Sequence, residues 1–334
     1  MIPFSVLDLA PVPEGSDAGV ALRNSLDLAQ HAERLGYRRY WMAEHHSMPG
    51  IASAATAVAL AFVGAGTSTI RIGAGGIMLP NHAPLVIAEQ FGTLESLFPG
   101  RVDLGLGRAP GTDRAAMQAL RRNLASDDNQ FPSDVIELMD YFAGRPDAQV
   151  RAIPGEELDI PIWILGSSLF GAQLAAMLGL PYAFASHFAP GLMMEAIHVY
   201  RTGFRPSERL AEPYVMLGFN VFGAETDEEA ELLATSVQQA FVNLRTGRPG
   251  KLPPPVPGYL ESLPASGRAT LDHVLSCSAI GSPETVERQL RAFVERTGAD
   301  ELMITSQIFD HEARLRSYEI AARLIDSRPA AAAA

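Results

Sequence analysis

The amino-acid sequence predicts a single α/β domain, a (β/α)8 barrel of the TIM type. Short β-rich runs alternate with longer amphipathic stretches, which is typical of a parallel sheet covered by helices. Eight β-rich runs can be placed along the chain, and eight parallel strands can close into a barrel. The length of 334 residues also suits one barrel with insertions, so it does not by itself require two domains.

The predicted strands cover residues 4–9, 39–43, 70–75, 102–107, 161–165, 183–186, 214–222 and 302–306. Apolar residues recur at helical spacing in 18–35 and in 83–97, which predicts two helices that cover the barrel. Thr226 with a glutamate three residues later predicts a capping box at the start of a helix. Ser282, followed by proline, predicts another helix start, with proline in the first turn.

Two stretches interrupt the alternation, residues 109–154 after strand four and residues 243–274 after strand seven. Long insertions in a barrel are expected on its loop faces. The second stretch is rich in proline and glycine, so we expect it to act as a hinged lid over the active site. The barrel is expected to span 1–329, with 330–334 as a disordered tail.

Composition and charge exclude several classes of protein. The net charge of −12 repels phosphate backbones, so neither nucleic acid nor an anionic membrane surface is an expected partner. We expect a cytoplasmic protein, because the N-terminus lacks a basic leader region and the sequence lacks an uninterrupted apolar run of membrane-span length. Cys277 is the only cysteine, which excludes an intrachain disulfide and predicts a buried small apolar residue.

Polar side chains follow several predicted strands, at the end of the barrel where this fold builds active sites. Glu44, His45 and His46 follow strand two, His82 follows strand three, and His187 follows strand six. Adjacent histidines can satisfy buried hydrogen bonds or take part in acid/base chemistry. A metal site is a further alternative, because Glu44, His46, His82 and His187 could converge, although no spaced metal-binding motif is present.

The turn after strand five predicts an anion site. Gly166, Ser167 and Ser168 lead directly into a predicted helix, which offers free N–H groups, two hydroxyls and the positive end of a helix dipole. Arg108, at the end of strand four, could add a charge-assisted contact to the same phosphate. A plain N-cap would also explain the serines, and Arg108 could instead pair with Glu44, Glu89 or Asp113. Together these residues favour a phosphorylated cofactor.

Gly75 and Gly76 stand at the end of strand three. Two glycines there would let a flat ring approach the backbone, whereas a tight turn is the alternative explanation. We expect a cis peptide bond or another strained turn between them.

Four motifs, in order and spacing, resemble those of the bacterial luciferase-like flavin monooxygenases. They are E-H-H after strand two, I-G-A-G-G-I-M-L-P through strand three, R-V-D-L-G-L-G-R in strand four and L-G-S-S after strand five. The likeness covers nearly the whole chain and is closest to the stand-alone group 1 luciferase-family oxidoreductases. Members of that group often carry R-A-P-G-T-D after strand four, which stands here at 108–113.

The resemblance implies roles for individual residues. His45 matches the family's catalytic histidine, Gly75 and Gly76 match the small-residue pair with a cis peptide beneath the flavin, and Arg108 and Ser167 match phosphate-site positions.

The chain also departs from luciferase itself. Gly107 stands where luciferase has a reactive cysteine, and Gly166 stands where it has a glutamate near the phosphate. Candidates for a second phosphate-side arginine are Arg114, Arg121 and Arg122.

The activity that the resemblance implies is that of a monooxygenase using reduced FMN, supplied by a separate flavin reductase, and O2 as co-substrate. The reaction would run through a flavin C4a-hydroperoxide with His45 as general acid/base, on a small organic substrate such as an aldehyde or other apolar compound. A deazaflavin-dependent oxidoreductase on the same barrel, a metal-dependent hydrolase and a flavin-storing protein are the alternatives. A homodimer is expected through the alanine-rich helix predicted at 52–66.

Overall fold

The computed structural model describes residues 2–108, 116, 119–120, 130–145 and 148–325. Within these ranges nine strands form one sheet, and every strand pair is parallel. The strands are β1 Phe4–Asp8, β2 Arg39–Met42, β3 Arg71–Met78, β4 Val102–Gly107, β5 Ile162–Gly166, β6 Tyr182–Phe184, β7 Val215–Gly223, β8 Ser278–Gly281 and β9 Glu301–Thr305.

Eight of these strands close into a barrel. Each of β1 to β6 pairs with the next strand along the chain, and the ring closes because β9 pairs with both β7 and β1. The short β8 lies outside this ring and pairs only with the last residues of β7, from Asn220 to Gly223. The predicted (β/α)8 barrel is therefore confirmed, with one strand added.

The helices are α1 Ala18–Arg34, α2 Thr56–Ala65, α3 Pro84–Leu97, α4 Phe131–Ala143, α5 Leu169–Leu178, α6 Met193–Gly203, α7 Asp227–Arg245, α8 Tyr259–Ser262, α9 Ala265–Val274, α10 Pro283–Thr297 and α11 His311–Ala322. Helix α7 follows the predicted N-cap residue Thr226, whose hydroxyl accepts a hydrogen bond from the backbone N–H of Glu229 at 3.2 Å. Ser282 is the N-cap of α10 by backbone position, but its side chain makes no capping hydrogen bond. None of the helices within the described ranges is long and apolar enough to cross a membrane.

Alternation along each strand divides the apolar residues into two layers. Tyr40 and Met42 face outward into the core between sheet and helices, which also holds the buried Cys277. Trp41 faces inward and packs edge-on against Trp163, with ring centroids 5.2 Å apart. Leu7, Met216 and Met303 complete this inner apolar layer, which closes the barrel below its carboxyl end.

A buried ionic network fills the amino-terminal end of the barrel. Arg39 binds Asp103 at 2.8 Å and Glu301 at 3.0 Å, and Arg71 reaches Asp103 at 2.7 Å from the next strand. These groups compensate one another's charge, as buried ionic groups must. The amino-terminal end is therefore filled by ion pairs and the middle by apolar side chains, which leaves the carboxyl end for chemistry.

Most predicted strand ends lie within one or two residues of the observed ones, and two differences are larger. Strand β8 was missed, because a four-residue run between two helices gives little periodicity to detect. Strand β3 continues through Gly75 and Gly76 to Met78, so the two glycines lie inside a strand rather than after it. Pairing with β4 shifts register between Gly75 and Ile77 and then resumes, which is why the strand does not end at the glycines.

Candidate active site

Glu44 is the centre of a hydrogen-bonded cluster at the carboxyl end of the barrel. Its Oε1 atom lies 2.7 Å from Nε2 of His46 and 2.9 Å from Nε2 of His82. Its Oε2 atom accepts a hydrogen bond from the backbone N–H of Met78 at 3.0 Å. The carboxylate is only 1% exposed, so strands β2 and β3 and the loop after β3 are joined through one buried charge.

The cluster holds Glu44 in its charged form. Burial alone would raise its pKa, but hydrogen bonds from His82 and His46 and from the Met78 amide outweigh burial, and the pKa lies below its ordinary value. The ligand atoms of Glu44, His46 and His82 lie within 4.8 Å of one another, close enough to share a metal ion. The predicted convergence therefore holds for these three residues but does not include His187. The hydrogen bonds to Glu44 already account for the arrangement without an ion.

His45 and His187 come together from different strands. His45 follows β2, and its backbone N–H donates to Ser53 O at 3.4 Å. His187 follows β6, and burial together with repulsion from His45 lowers the pKa of His187 to about 4. Two imidazoles thus interact at the carboxyl end of the barrel, and His187 stays neutral beside His45.

The peptide bond between Gly75 and Gly76 is cis, as predicted. Both positions exclude larger residues by contact. A Cβ atom on Gly75 would lie 2.9 Å from Leu7, and one on Gly76 would lie 2.6 Å from the carbonyl oxygen of Gly105. Close approach of β3 to the backbone of β4 therefore explains Gly76, and packing against the side chains of Leu7 and Trp41 in the inner apolar layer explains Gly75. The approach of a flat ring to these glycines remains a prediction.

The predicted phosphate-site residues meet at the start of helix α5. The guanidinium carbon of Arg108 lies 4.1 Å from the centroid of the Phe170 ring, in the first turn of that helix. Ser168 is the N-cap residue, yet its hydroxyl makes no capping hydrogen bond. Within the described ranges Arg108 forms no ion pair, and Glu44 instead holds His46 and His82. A cation, an uncommitted hydroxyl and the first N–H groups of a helix thus lie side by side.

Gly166 leaves space beside this site. A Cβ atom placed on Gly166 would have its nearest neighbour at 3.8 Å, the Cα atom of Gly171. The dianionic phosphate of a flavin nucleotide fits such a cradle, because its oxygens can accept from backbone N–H groups, hydroxyls and a guanidinium. Arg114, Arg121 and Arg122, like Asp113, lie outside the described residues.

The stretch between α7 and β8 lies against the loop that follows β1. The backbone N–H of Leu252 donates to Val12 O at 2.9 Å, and Glu14 N–H donates to Leu252 O at 2.8 Å. Leu252 is buried there. This places the predicted lid at the carboxyl end of the barrel, whereas its opening and closing remain a prediction.

Sequence reasoning missed Gly218, on the inner face of β7. A Cβ atom there would lie 2.2 Å from Nδ1 of His187, so the histidine ring occupies the space that a side chain would need. A glycine inside a strand that is otherwise rich in large apolar residues is a signal of such close approach.

Comparison with known proteins agrees with this arrangement. The family model described as luciferase-like monooxygenase matches residues 2–301. A protein of Escherichia coli strain K12 named luciferase-like monooxygenase is 54% identical over 321 residues, 96% of each chain. The N-acetyl-S-alkylcysteine monooxygenase of Bacillus subtilis strain 168 is 37% identical over 262 residues, covering 74% of this chain and 75% of that protein.

Solved structures share the same barrel. The crystal structure of apo-MsnO8 is 34% identical, covers 98% of this chain and 100% of its own, and superposes with a TM-score of 0.88. The oxygenating constituent of 3,6-diketocamphane monooxygenase from Pseudomonas putida, a type II Baeyer–Villiger monooxygenase in complex with FMN, is 18% identical, with a TM-score of 0.72 and 97% of each chain covered. An F420-dependent secondary alcohol dehydrogenase is 13% identical, with a TM-score of 0.70, covering 95% of this chain and 97% of its own.

Proposed function

The chain belongs to the luciferase-like monooxygenase family, and from this premise we propose that it is an FMN-dependent monooxygenase acting on a small organic substrate. The observation that carries the choice of cofactor is the cradle at the start of α5. Arg108 is stacked on Phe170 there, beside the uncommitted Ser168 hydroxyl and the open space at Gly166. A cationic site of this kind suits a terminal phosphate monoester.

In this proposal Arg108 and the residues Gly166, Ser167 and Ser168 would hold the phosphate of FMN. Gly75 and Gly76 would receive the flavin ring, since β3 is separated from β5 only by β4. The inner apolar layer below, centred on Trp41 and Trp163, keeps water from entering beneath the ring.

Reduced FMN, when bound, supplies the electrons that activate O2 for insertion of one oxygen atom into the substrate. The protein's own contribution is to position, to exclude water and to move protons. His45 is assigned the general acid/base role, because an imidazole changes charge near neutral pH. Glu44 fixes His46 and His82 around this position through its two short hydrogen bonds.

The organic substrate is proposed to be small and largely apolar, such as an aldehyde, a ketone or an alkyl thioether. The last class enters because a relative with 37% identity is named as a monooxygenase of N-acetyl-S-alkylcysteine. A reduced deazaflavin is the main alternative cofactor, since an F420-dependent dehydrogenase shares the fold.

The assembly proposed for this enzyme is a homodimer that receives reduced FMN from a separate flavin reductase in the cytoplasm. An apolar surface on neighbouring helices supports the dimer. Val58 and Phe62 on α2 are 72% and 46% exposed, and Val86 and Leu97 on α3 are also exposed. Exposed apolar side chains on two adjacent helices are typical of a protein–protein interface.

Equilibrium binding separates the candidate functions. Purified protein is titrated anaerobically with reduced FMN, with reduced deazaflavin and, in a third sample, with zinc. We expect saturable binding of reduced FMN that is tighter than binding of the deazaflavin, and no stoichiometric zinc. Preference for the deazaflavin, or stoichiometric zinc with no flavin bound, would contradict the proposal.

A further inference from the structure

His187 is held rigidly against the inner face of β7. The hydroxyl of the preceding Ser186 donates to Gly218 O at 2.7 Å. The side-chain amide of Asn220, two residues further along β7, donates to the carbonyl oxygen of His187 at 2.7 Å. Ser186 and Asn220 are both buried, so the turn that carries the imidazole is fixed from both sides.

The packing of the imidazole ring determines which nitrogen carries the proton. Nδ1 of His187 is buried, and no described residue offers it a hydrogen bond. It faces Gly218, where an added Cβ atom would lie only 2.2 Å away, so a Cα hydrogen of the glycine points at Nδ1. A lone pair can accept this weak C–H contact, whereas an N–H group there would be an orphaned donor. The proton therefore belongs on Nε2.

The ring also stays neutral over the physiological range. Burial and repulsion from His45 lower the pKa of His187 to about 4, so the second proton is absent near pH 7. Nε2 is thus a permanent N–H donor at the end of the ring that points away from β7. Among the described residues no hydrogen-bond acceptor is found for it.

The closed order of strands places this donor opposite the proposed flavin position. Around the barrel, β7 is separated from β3 by β4, β5 and β6 in one direction and by β9, β1 and β2 in the other. Gly75 and Gly76 on β3 and the His187 ring, which packs against β7, therefore face each other across the barrel. The substrate of a flavin enzyme must lie against one face of the flavin ring, between these two walls.

We propose that His187 is a substrate-binding residue that donates a hydrogen bond from Nε2 to an oxygen atom of the organic substrate. The inference rests on the proposed function and extends it, because it restricts the substrates to compounds with an acceptor oxygen near the atom to be oxidised. His45 and His187 then have different tasks, since His45 exchanges protons and His187 keeps its own.

The tautomer is tested on the protein without cofactor. Long-range 1H–15N correlation spectra of histidine-labelled protein contain eight imidazoles, and the His187→Gln variant identifies the signals of His187 by their loss. We expect the neutral Nε2–H form between about pH 6 and about pH 8. An Nδ1–H form, or protonation of both nitrogens in that range, would overturn the proposal whether or not the protein binds FMN.

Ligand binding is tested with three probes that bear an acceptor oxygen, namely decanal, cyclohexanone and N-acetyl-S-methylcysteine. At least one should shift the Nε2–H signal of His187. The dissociation constant of that probe should rise about tenfold in His187→Leu, the usual effect of a lost hydrogen bond. In His187→Gln, which retains a donor, the dissociation constant should stay within about threefold of the wild-type value. The affinity for reduced FMN should not change. If no probe shifts the signal, or if His187→Leu weakens FMN binding instead, His187 is not a substrate-binding residue.

Gly218→Ala tests the same geometry from the other side of the contact. The added Cβ must displace the imidazole ring, so the probe that shifts Nε2–H should bind as weakly as it does to His187→Leu. Gly203→Ala is the matched control, because its Cβ would meet only Ala176 at an ordinary 3.7 Å. Probe affinity that is unchanged in a folded Gly218→Ala protein would contradict the assigned position of the ring.

Discussion

Replacement of Arg108 by alanine should weaken the binding of reduced FMN without changing the binding of reduced riboflavin. The two ligands differ by one phosphate group, so their ratio of affinities isolates the contact that Arg108 is proposed to make. The guanidinium already stacks on Phe170 at 4.1 Å, so little side-chain freedom remains to be lost when phosphate binds.

The expected size follows from the kind of contact. A hydrogen bond to a charged partner is worth roughly 1.5–3 kcal/mol, which corresponds to roughly a tenfold to 150-fold increase in the dissociation constant. Arg108 is partly exposed to solvent, so we expect a value near the lower end. Arg108→Lys keeps the charge but loses the planar, stacked fork, and its affinity should lie between wild type and Arg108→Ala.

The assay is an anaerobic titration of each protein with reduced FMN and with reduced riboflavin, followed by fluorescence or calorimetry. Arg108→Ala should bind the two ligands with nearly equal affinity, whereas wild type should prefer FMN. If Arg108→Ala lost equal affinity for both ligands, Arg108 would contact the flavin ring instead of the phosphate. If it lost affinity for neither ligand, Arg108 would have a structural role only.

Three further predictions concern the histidine, the carboxylate and the assembly. His45→Ala should bind reduced FMN normally and lose oxygenation by on the order of a hundredfold at saturating cofactor; full coupled turnover would refute its acid/base role. Glu44→Gln should unfold about 1–3 kcal/mol more easily at pH 7, because hydrogen bonds to a buried charge are lost. The pKa of Glu44 in the folded protein lies below its ordinary value of 4.5. The difference in unfolding free energy between wild type and Glu44→Gln should therefore persist above pH 4.5 and shrink as pH falls through the lowered pKa. Denaturant titrations that give the same difference at low pH would contradict this prediction. Phe62→Glu on α2 should halve the mass measured by light scattering while the protomer stays folded, and a wild-type monomer would refute the dimer.

The barrel could be predicted from the sequence because each of its strands is a short apolar run bounded by helical periodicity. The helix predicted to follow Ser168 is α5, and it ends at Gly179, which adopts the left-handed conformation that favours glycine. Strand β8 could not be predicted, because four residues that pair only with the end of β7 have no pattern of their own. The extension of β3 beyond Gly75 depends on pairing with β4, a long-range contact that local sequence does not encode.

The candidate site was predictable where its residues follow strands, and less so where they depend on packing. Convergence of Glu44, His46, His82 and His187 was one predicted alternative because strand ends of a barrel meet, and the first three of these residues do converge. The environment of His187 was not foreseen, since it depends on the absence of a side chain at Gly218 on the neighbouring strand. The proposed tautomer follows from that contact alone, and no spacing of residues along the chain predicts it.

Oxygen incorporation tests the central claim most directly. The protein, reduced FMN and one compound at a time from decanal, cyclohexanone and N-acetyl-S-methylcysteine are mixed under 18O2, and the products are analysed by mass spectrometry. A monooxygenase should give a product from at least one compound that carries one 18O atom, with the second oxygen atom released as water. Hydrogen peroxide as the only product of O2 with every compound, or product oxygen that derives from solvent water, would contradict the account.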